Sequence, residues 1–448
     1  MRILLITHYF PPLNMVVSHR TWSWARNWAD QGHDVVILTT RKNPLDGPLN
    51  MSWNCSCNQL GSIKVLQVPY PHPWALTWLK KKILNNVSEP VSEIDPSTID
   101  SSSGFAGLIR RKIRPLREIT GAIPEIHDPW IPMAIAAGAR LMSRIKFHIV
   151  VSTYHPPAPH CVALALKKLG HDFFWIIDFA EMWSQSTTIK AVKPFSSAIR
   201  WLESTIVANG DLLLAVSDPW AQKLKDLYPK KEVLTIENGF SPEDIPDHHH
   251  RYAKAESNEP FIMIYSGTIW PGEGRQNPDL LFRALEMIAQ NYPELASRLE
   301  LRIFGKGWSE LEKLNEPLVK LGMVRFMGTI DRLELRRHSF KAHCSVIFDW
   351  DDPEESGVIP AKAYEYMASG RPILCLGGHS DSALKKMIVS LNAGLCPGHD
   401  IIRISETIKI IANGIPDWKS PAENELKSWS REYQSALILK KHYEMTSS

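Results

Sequence analysis

The chain has 448 residues, a formal net charge of +3, 22% charged residues and 44% hydrophobic residues. Its length exceeds the roughly 250–300 residues at which a single core stops growing, so two domains are expected. The small net charge does not indicate a nucleic-acid partner. The sequence has no apolar run of about 18 or more residues, so no membrane-spanning helix is expected. The six cysteines are scattered, and Cys55-x-Cys57 has no second pair with which to form a zinc site. A reduced, cytoplasmic protein is the simplest expectation.

The chain opens with a β-α-β pattern. Ile3–Ile6 predicts a strand, the residues from about Ser18 to Gln31 carry apolar side chains at helical spacing, and Val35–Thr40 predicts a second strand. Such a unit favours a parallel sheet with ligands near the carboxyl ends of its strands. His19 and Arg20, at the helix start, are candidate contacts on the acceptor side, and solvated residues without a role are an equally good reading of them.

A weakly patterned stretch follows the predicted strand Ile63–Val68. Residues 74–117 combine tryptophans, a Lys80-Lys81-Lys82 run and a mixed basic and apolar segment. This composition favours a peripheral surface that meets anionic lipid head groups. The alternative is a solvated helix with a buried stripe beside a loop, since Pro115 interrupts the helical pattern.

Two further buried strands, Phe147–Thr153 and Phe173–Asp178, end in polar residues. His155 follows the first strand. Asp178 ends the second strand, and Glu181 follows it. Carboxylates at the carboxyl end of a strand lie where a doubly wound sheet places its site. Both acidic residues are therefore candidate catalytic groups, with a turn-capping role as the alternative for Asp178.

Residues 241–259 contain several prolines, charged residues and three consecutive histidines. Such a stretch is typical of a solvated interdomain linker. It divides the chain into a first domain, residues 1–240, and a second domain that begins at about residue 260.

The second domain opens with a strand that runs into a glycine turn. Gly267 and Thr268 end this strand, and Arg275 lies in a glycine-containing loop just before a predicted helix over 278–290. Glycines let backbone N–H groups approach an anion, and an arginine near a helix start adds positive charge. This segment is therefore a candidate phosphate site.

The most informative stretch is Gly357–Leu374. Gly357, Val358 and Ile359 precede Pro360, which can occupy the first turn of a helix, and Gly370 and Pro372 end that helix before a short strand. Lys362 and Glu365 are three residues apart and share a face near the positive end of the helix. A cation beside a carboxylate that can accept from sugar hydroxyls suits a nucleotide sugar.

The run Pro360-x-Lys362-x-x-Glu365-Tyr-Met-Ala-x-Gly-x-Pro-Ile resembles the donor-site helix of retaining GT-B glycosyltransferases of the family-4 type. The resemblance implies an α/β fold with two Rossmann-like domains whose parallel sheets face a central cleft. It implies an acceptor domain, residues 1–240 completed by a returning helix at about 424–448, and a nucleotide-sugar domain, residues 260–423. It also implies that Glu365 grips the ribose.

Other segments extend the resemblance. The Phe-Pro-Pro loop after the first strand resembles the family's opening, and the strand that ends at Gly328 and Thr329 resembles the one whose backbone holds the nucleotide base. The resemblance assigns Arg275 to the donor pyrophosphate. Together with Lys362, it would stabilise the leaving diphosphate.

Three positions depart from the family pattern. Gly357 stands where many members have a glutamate that contacts the donor hexose, Thr268 stands where an arginine is frequent, and Ala180 replaces an arginine. The first departure predicts donor contacts from backbone amides over 357–359 and a donor with different substituents, such as an acetamido or deoxy sugar. The alternative is that transfer is lost.

The function implied is retaining transfer of a hexose from a UDP- or GDP-linked sugar to a glycan or polyprenyl-linked acceptor. It points to surface polysaccharide synthesis at the inner face of a membrane, with no metal and no cofactor beyond the nucleotide sugar. Two alternatives remain open. One is a GT-B sugar-nucleotide 2-epimerase, and the other is a non-catalytic nucleotide-sugar binding protein.

Overall fold

The structure is a computed structural model that describes residues 1–43, 49, 63–70, 120, 128–186, 191–245, 259–269, 271–272, 274–415 and 420–447. It has two compact units. The first comprises Met1–Val216, Trp220–Ile236 and Ser435–Ser448, and the second comprises Ser217–Pro219 and Glu237–Gln434.

The boundary of the second unit lies before the predicted linker. Residues 241–245 belong to the second unit, and residues 246–258 lie outside the described residues. The predicted lipid-facing stretch, 74–117, also lies outside them, so its role stays a prediction. Among the helices that the structure does describe, none is long and apolar enough to cross a bilayer.

The described strands of the first unit form one parallel sheet in the order β3-β2-β1-β4-β5-β6-β7. They are β1 (Arg2–Ile6), β2 (Asp34–Thr40), β3 (Lys64–Val68), β4 (Ile149–Tyr154), β5 (Phe174–Phe179), β6 (Leu212–Ala215) and β7 (Glu232–Thr235). Ile3 pairs with Val35 on one side and with Ile149 on the other. The order therefore reverses direction between β1 and β4, which is the topological switch point of a Rossmann-like sheet.

Helices pack against this sheet through their apolar faces. They are α1 (Val16–Asp30), α2 (Trp130–Met142), α3 (Ala158–Lys168), α4 (Phe195–Asn209) and α5 (Asp218–Leu227). In α1, Trp24, Ala25 and Trp28 recur at helical spacing and are buried with Ile3 and Ile37 of the sheet. Each large side chain buried in this way contributes about 1.5–3 kcal/mol.

The second unit repeats the same strand order, β10-β9-β8-β11-β12-β13, in a six-stranded parallel sheet. The strands are β8 (Phe261–Ser266), β9 (Leu299–Phe304), β10 (Val324–Gly328), β11 (Cys344–Asp349), β12 (Ile373–Gly377) and β13 (Gly394–Gly398). Its switch point lies between β8 and β11. Ligands of open parallel sheets bind outside the carboxyl ends of the strands at such a point.

Most helices of the second unit connect these strands. They are α6 (Asp279–Asn291), α7 (Pro293–Ala296), α8 (Ser309–Leu314), α9 (Glu316–Lys320), α10 (Arg332–Lys341), α11 (Ala361–Ala368), α12 (Ala383–Ser390), α13 (Ile401–Asn413) and α14 (Glu423–Leu426). Short 3-10 turns span Pro242–Asp244, Pro353–Glu355 and Lys427–Trp429. Two parallel Rossmann-like sheets with flanking helices confirm the predicted α/β fold class.

The prediction of one continuous helix over the last segment is wrong. The backbone of Ser430 is extended, with φ −73° and ψ 146°, because it bridges to Phe240. The N–H of Phe240 donates to the carbonyl of Trp429 at 3.1 Å, and the N–H of Arg431 donates to the carbonyl of Phe240 at 2.9 Å. A separate helix, α15 (Arg431–Thr446), starts after this break, and the chain from Ser435 onward belongs to the first unit.

Candidate active site

The carboxyl end of β8 forms a turn that requires glycine. Gly267 has φ +119°, a left-handed conformation that side-chain-bearing residues rarely adopt. Its carbonyl accepts a hydrogen bond from Nε1 of Trp308 at 3.2 Å. A Cβ on Gly305 would lie 2.4 Å from that same carbonyl oxygen. The turn is therefore held by close backbone packing at the switch point of the sheet.

The side chain of Lys362, in the first turn of α11, packs against Gly267. A Cβ added to Gly267 would come within 2.9 Å of Nζ of Lys362. The ammonium group donates to the hydroxyl of Tyr265 at 2.9 Å and lies 4.1 Å from the centroid of the Tyr265 ring. Strand β8 thus provides both the space for the lysine and its neutral hydrogen-bond partner.

The surroundings of Lys362 disfavour its charge. Desolvation lowers the pKa of Lys362 to about 7, and the nearby Glu365 carboxylate opposes this shift only in part. Desolvation also raises the pKa of Tyr265, so its hydroxyl stays neutral. An anion that bound beside Lys362 would favour the ammonium form.

Helix α11 is positioned by its buried face. Ala363, Tyr364, Tyr366 and Met367 are buried, and the Tyr366 hydroxyl accepts a hydrogen bond from the N–H of Ser266 at 3.0 Å. This bond ties the helix directly to the end of β8. It leaves the other face, with Lys362, at the switch point.

Glu365 lies on the same helix as Lys362 and is paired with an arginine. Its Oε1 accepts from Nη2 of Arg332 at 3.1 Å, and the Glu365 side chain is 34% exposed. Desolvation raises the pKa of Glu365, and Arg332 opposes that shift. The predicted proximity of a cation, Lys362, and a carboxylate, Glu365, is thus found in the fold, with a second cation beside the carboxylate.

The remaining predicted donor residues of the second unit lie at strand ends. Gly328, the last residue of β10, and Thr329, which follows it, are exposed. The Gly328 carbonyl accepts from the N–H of Gly305 at 2.8 Å. Thr268 is exposed, and its carbonyl accepts from the Tyr265 hydroxyl. All of them remain predicted ligand contacts.

Arg275 lies in the loop between β8 and α6. Its N–H donates to the carbonyl of Gly272 at 3.0 Å, and its side chain is partly buried. Within the described part of the chain, no hydrogen bond or ion pair is formed by its guanidinium group, and its contact with the donor pyrophosphate stays a prediction.

The loop before α11 corrects one expectation. Gly357 is buried, and the N–H of Val358 already donates to the carbonyl of Glu355 at 2.9 Å. That amide therefore is not available to a donor sugar, as the sequence had suggested for residues 357–359. Pro360 has extended backbone angles and caps α11, which begins at Ala361, so Pro360 precedes the first turn of that helix.

In the first unit, two predicted site residues form a buried ion pair. Nη2 of Arg20 lies 2.9 Å from Oδ1 of Asp178, and the two side chains are 1% and 0% exposed. Nε of Arg20 donates to the other carboxylate oxygen at 3.2 Å. Neither side chain reaches solvent, so the ion pair is a structural contact, and the roles predicted for Arg20 at the acceptor and for Asp178 in catalysis stay predictions. Together they join α1 to β5.

The other first-unit candidates are more accessible. His19 is partly buried and pairs with Oδ1 of Asn14 at 3.0 Å. His155 is partly buried directly after β4, and Glu181 is exposed after β5. Strands β4 and β5 are neighbours, so His155 and Glu181 follow adjacent strand ends and remain predicted acceptor-side and catalytic residues.

Three residues at the site were not predicted from the sequence, namely Tyr265, Arg332 and Asp244. Tyr265 lies within an apolar strand run, Arg332 follows an ordinary Asp N-cap at a helix start, and Asp244 lies in the stretch predicted as a linker. None of these local patterns indicates a site. Only the tertiary packing brings the three residues near Lys362 or Glu365.

Comparison with known proteins identifies the family. Residues 17–239 match the family described as "Glycosyl transferase 4-like domain", which is about half of the chain. Over 192 residues the chain is 27% identical to D-inositol 3-phosphate glycosyltransferase of Nocardioides sp.. That match covers 38% of this chain and only 40% of the length of that curated relative.

Solved structures share the whole fold at low sequence identity. Sucrose-phosphate synthase from Thermosynechococcus elongatus has a TM-score of 0.61 at 13% identity and covers 100% of this chain and 99% of its own. An E. coli trehalose-6-phosphate protein bound with UDP-2-fluoro glucose has a TM-score of 0.59 at 10% identity, with 98% of each chain covered. A UDP-N-acetylglucosamine 2-epimerase has a TM-score of 0.53 at 11% identity, with coverage of 100% and 97%. Taken with the family match and the donor-helix motif, the shared fold places the chain in the GT-B glycosyltransferases of the family-4 type.

Proposed function

We propose that this protein transfers a hexose from a nucleotide-sugar donor to a glycan or polyprenyl-linked acceptor, with retention of the anomeric configuration. The observation that carries the proposal is the position of Lys362. Its ammonium lies on the glycine turn at the switch point of the second sheet, and Glu365 lies one turn further along the same helix. A cation at a helix start with a carboxylate beside it suits a diphosphate joined to a ribose.

In the proposed reaction, the bond between the anomeric carbon and the diphosphate oxygen breaks, and the acceptor hydroxyl oxygen forms the new glycosidic bond. The proton of that hydroxyl passes to the departing diphosphate. Negative charge grows on the departing diphosphate as its bond to the anomeric carbon breaks. The Lys362 ammonium and the start of α11 stabilise that charge more in the transition state than in the bound substrate, which lowers the barrier.

Arg275 is proposed as the second cation for the diphosphate. The loop that carries it packs on the segment after β11, where the N–H of Asp352 donates to the carbonyl of Gly274 at 2.8 Å. This contact fixes the backbone next to Arg275 while its guanidinium group forms no ion pair with any other described residue.

The proposed donor carries UDP or GDP, with UDP tested first because a structure of the same fold is bound with a UDP sugar. The proposed setting is surface polysaccharide synthesis in the cytoplasm, at the inner face of a membrane. Gly357 favours a donor hexose that differs from those held by a glutamate at this position.

A sugar-nucleotide 2-epimerase is the second candidate. It is favoured by the shared fold with an epimerase and by Gly357 in place of the usual glutamate. An epimerase would isomerise the donor sugar in the absence of any acceptor, whereas a non-catalytic binding protein would leave the donor unchanged.

The test combines binding and product analysis. Purified protein is mixed with UDP-glucose, UDP-N-acetylglucosamine, UDP-galactose and GDP-mannose, and thermal stabilisation, nucleotide release and the sugar product are measured by mass spectrometry and NMR. We expect stabilisation by at least one donor and slow release of its nucleoside diphosphate, with a Lys362→Met variant as the control. Release of an isomerised sugar nucleotide would favour the epimerase, and the absence of stabilisation by every nucleotide would refute the proposal.

A further inference from the structure

A single arginine nitrogen bridges two carboxylates beside the proposed donor site. Nη2 of Arg332 lies 3.1 and 3.3 Å from the two carboxylate oxygens of Asp244. The same nitrogen lies 3.1 Å from Oε1 of Glu365. Arg332 begins α10, and Glu365 lies on α11, so the bridge links two helices and the turn that carries Asp244.

Asp244 provides a fixed anchor for this bridge. Its side chain is 5% exposed, and its Oδ2 accepts from the N–H of Ser241 at 2.9 Å. Arg336, one helical turn after Arg332, lies 3.5 Å from Oδ1 of Asp244. The buried carboxylate is thus held by a backbone amide and two guanidinium groups, and it restrains the position of Arg332 in turn.

A small cavity of about 30 Å³ adjoins the bridge, lined in part by Asp244, Arg336, Glu365 and Tyr366. This volume holds about two water molecules and is too small for a sugar ring. A ribose must therefore approach Glu365 from the exposed side of its carboxylate. Oε1 is bonded to Arg332, and the described residues give Oε2 no hydrogen-bond partner.

We infer that Arg332 is a positioning residue that turns the free Oε2 of Glu365 toward the ribose hydroxyls of the nucleotide. A carboxylate on a flexible glutamate side chain samples several rotamers, and ordering it on binding costs free energy. The bond to Arg332 fixes the rotamer before the ligand arrives. This inference rests on the proposed nucleotide-sugar function, and it assigns Arg332 and Asp244 to selection of ribose over deoxyribose.

The test compares two ligands within each variant. Calorimetry measures the dissociation constants of UDP and 2′-deoxy-UDP, and of GDP and 2′-deoxy-GDP, and the pair that the wild-type protein binds more tightly is used. The wild-type protein should prefer the ribose form by about tenfold or more, as expected for a hydrogen bond to a charged group. Arg332→Gln should bring that ratio close to one, as should Glu365→Gln, and the double variant should show no further change.

The matched control is Arg337→Gln, which removes the charge of an exposed arginine on the same helix, outside the group of residues that holds Asp244. It should keep the wild-type ratio. A merely structural effect of Arg332→Gln would weaken the binding of both ligands equally. Such an effect cancels in the ratio of the two dissociation constants. If Arg332→Gln does not fold, Asp244→Asn provides the same test, because Arg332 loses its anchor.

The outcomes separate this inference from the proposed function. A wild-type protein that binds none of the four nucleotides would overturn both. A wild-type protein that prefers ribose through Glu365, with Arg332→Gln retaining the full preference, would overturn the inference alone. An equal loss of preference in Arg337→Gln would also overturn it, because the effect would then belong to the charge of the helix.

Discussion

The lowered pKa of Lys362 makes nucleotide binding dependent on pH. Because its pKa is about 7, the free protein carries this ammonium in its charged form only below neutral pH. A bound diphosphate attracts the charged form and raises the pKa, so binding takes up a proton. As pH rises above 7, protonating the lysine costs more free energy, so the affinity for the nucleotide falls.

The size of the effect follows from the same pKa. With a pKa of about 7 in the free protein and a lysine that stays protonated in the complex, affinity falls by about tenfold per pH unit between pH 8 and 9. Tyr265 and the nucleotide add no proton exchange in this range. Burial raises the pKa of Tyr265, which therefore stays neutral, and the terminal phosphate of UDP is already fully ionised.

Calorimetry with UDP at pH 7.5, 8.0, 8.5 and 9.0 measures this slope. Repeating each titration in two buffers of different ionisation enthalpy counts the protons taken up, which should approach one above pH 8. Lys362→Arg is the matched control, because arginine stays charged throughout, and its affinity should be flat. A flat profile for the wild-type protein, or an equal slope in Lys362→Arg, would refute the reasoning.

Two further predictions concern packing. Gly267→Ala should weaken UDP binding by about tenfold or more, because the added Cβ lies 2.9 Å from Nζ of Lys362 and displaces the charge. Gly307→Ala, with φ +84° and open space, should cost about 1 kcal/mol of stability and leave UDP affinity unchanged; equal losses in both would contradict the contact. Asp178→Asn should lower the free energy of unfolding by about 3–5 kcal/mol, since it leaves Arg20 buried without its charge partner. Denaturant unfolding measures this loss, and an unchanged stability with lost transfer would support the catalytic role of Asp178.

The strands were predictable because their signal is local. Aliphatic runs such as Leu299–Phe304 and Ile373–Leu376 are bounded by glycine, proline or polar residues, and a parallel sheet buries both faces of each strand. Helix α13 is absent from the predicted elements, although Asp400 caps it and Ile404 and Ile408 are buried at helical spacing. The cap and the apolar spacing of α13 are local signals that predict a helix.

The break before α15 had no such signal. Residues 424–444 have a helical pattern throughout, and the interruption at Ser430 arises from backbone pairing with Phe240, 190 residues earlier in the chain. Tertiary hydrogen bonds override local propensity here. Sequence spacing alone carries no information about such a partner.

The candidate site divides in the same way. Lys362 and Glu365 share one helix, so their spacing of three residues predicts a common face. Arg332 and Asp244 reach Glu365 from 33 and 121 positions away in the chain, and each resembles an ordinary solvated residue. The sequence therefore predicted the proximity of Lys362 and Glu365 and missed the ion pairs that join Glu365 to Arg332 and Arg332 to Asp244.

Two desolvated cations of this protein, buried Arg20 and partly buried Lys362, differ in how their charge is compensated. Arg20 has the carboxylate of Asp178 in bidentate contact, so its charge is balanced within the fold and needs no ligand. Among the residues that the structure describes, Lys362 has the neutral hydroxyl of Tyr265 as its hydrogen-bond partner, and desolvation lowers its pKa. A fold gains no stability from a desolvated amine without an anion, and local conflicts of this kind are expected at functional sites. The diphosphate of a nucleotide sugar would supply this missing anion. The sequence motif and the uncompensated charge therefore indicate the same lysine.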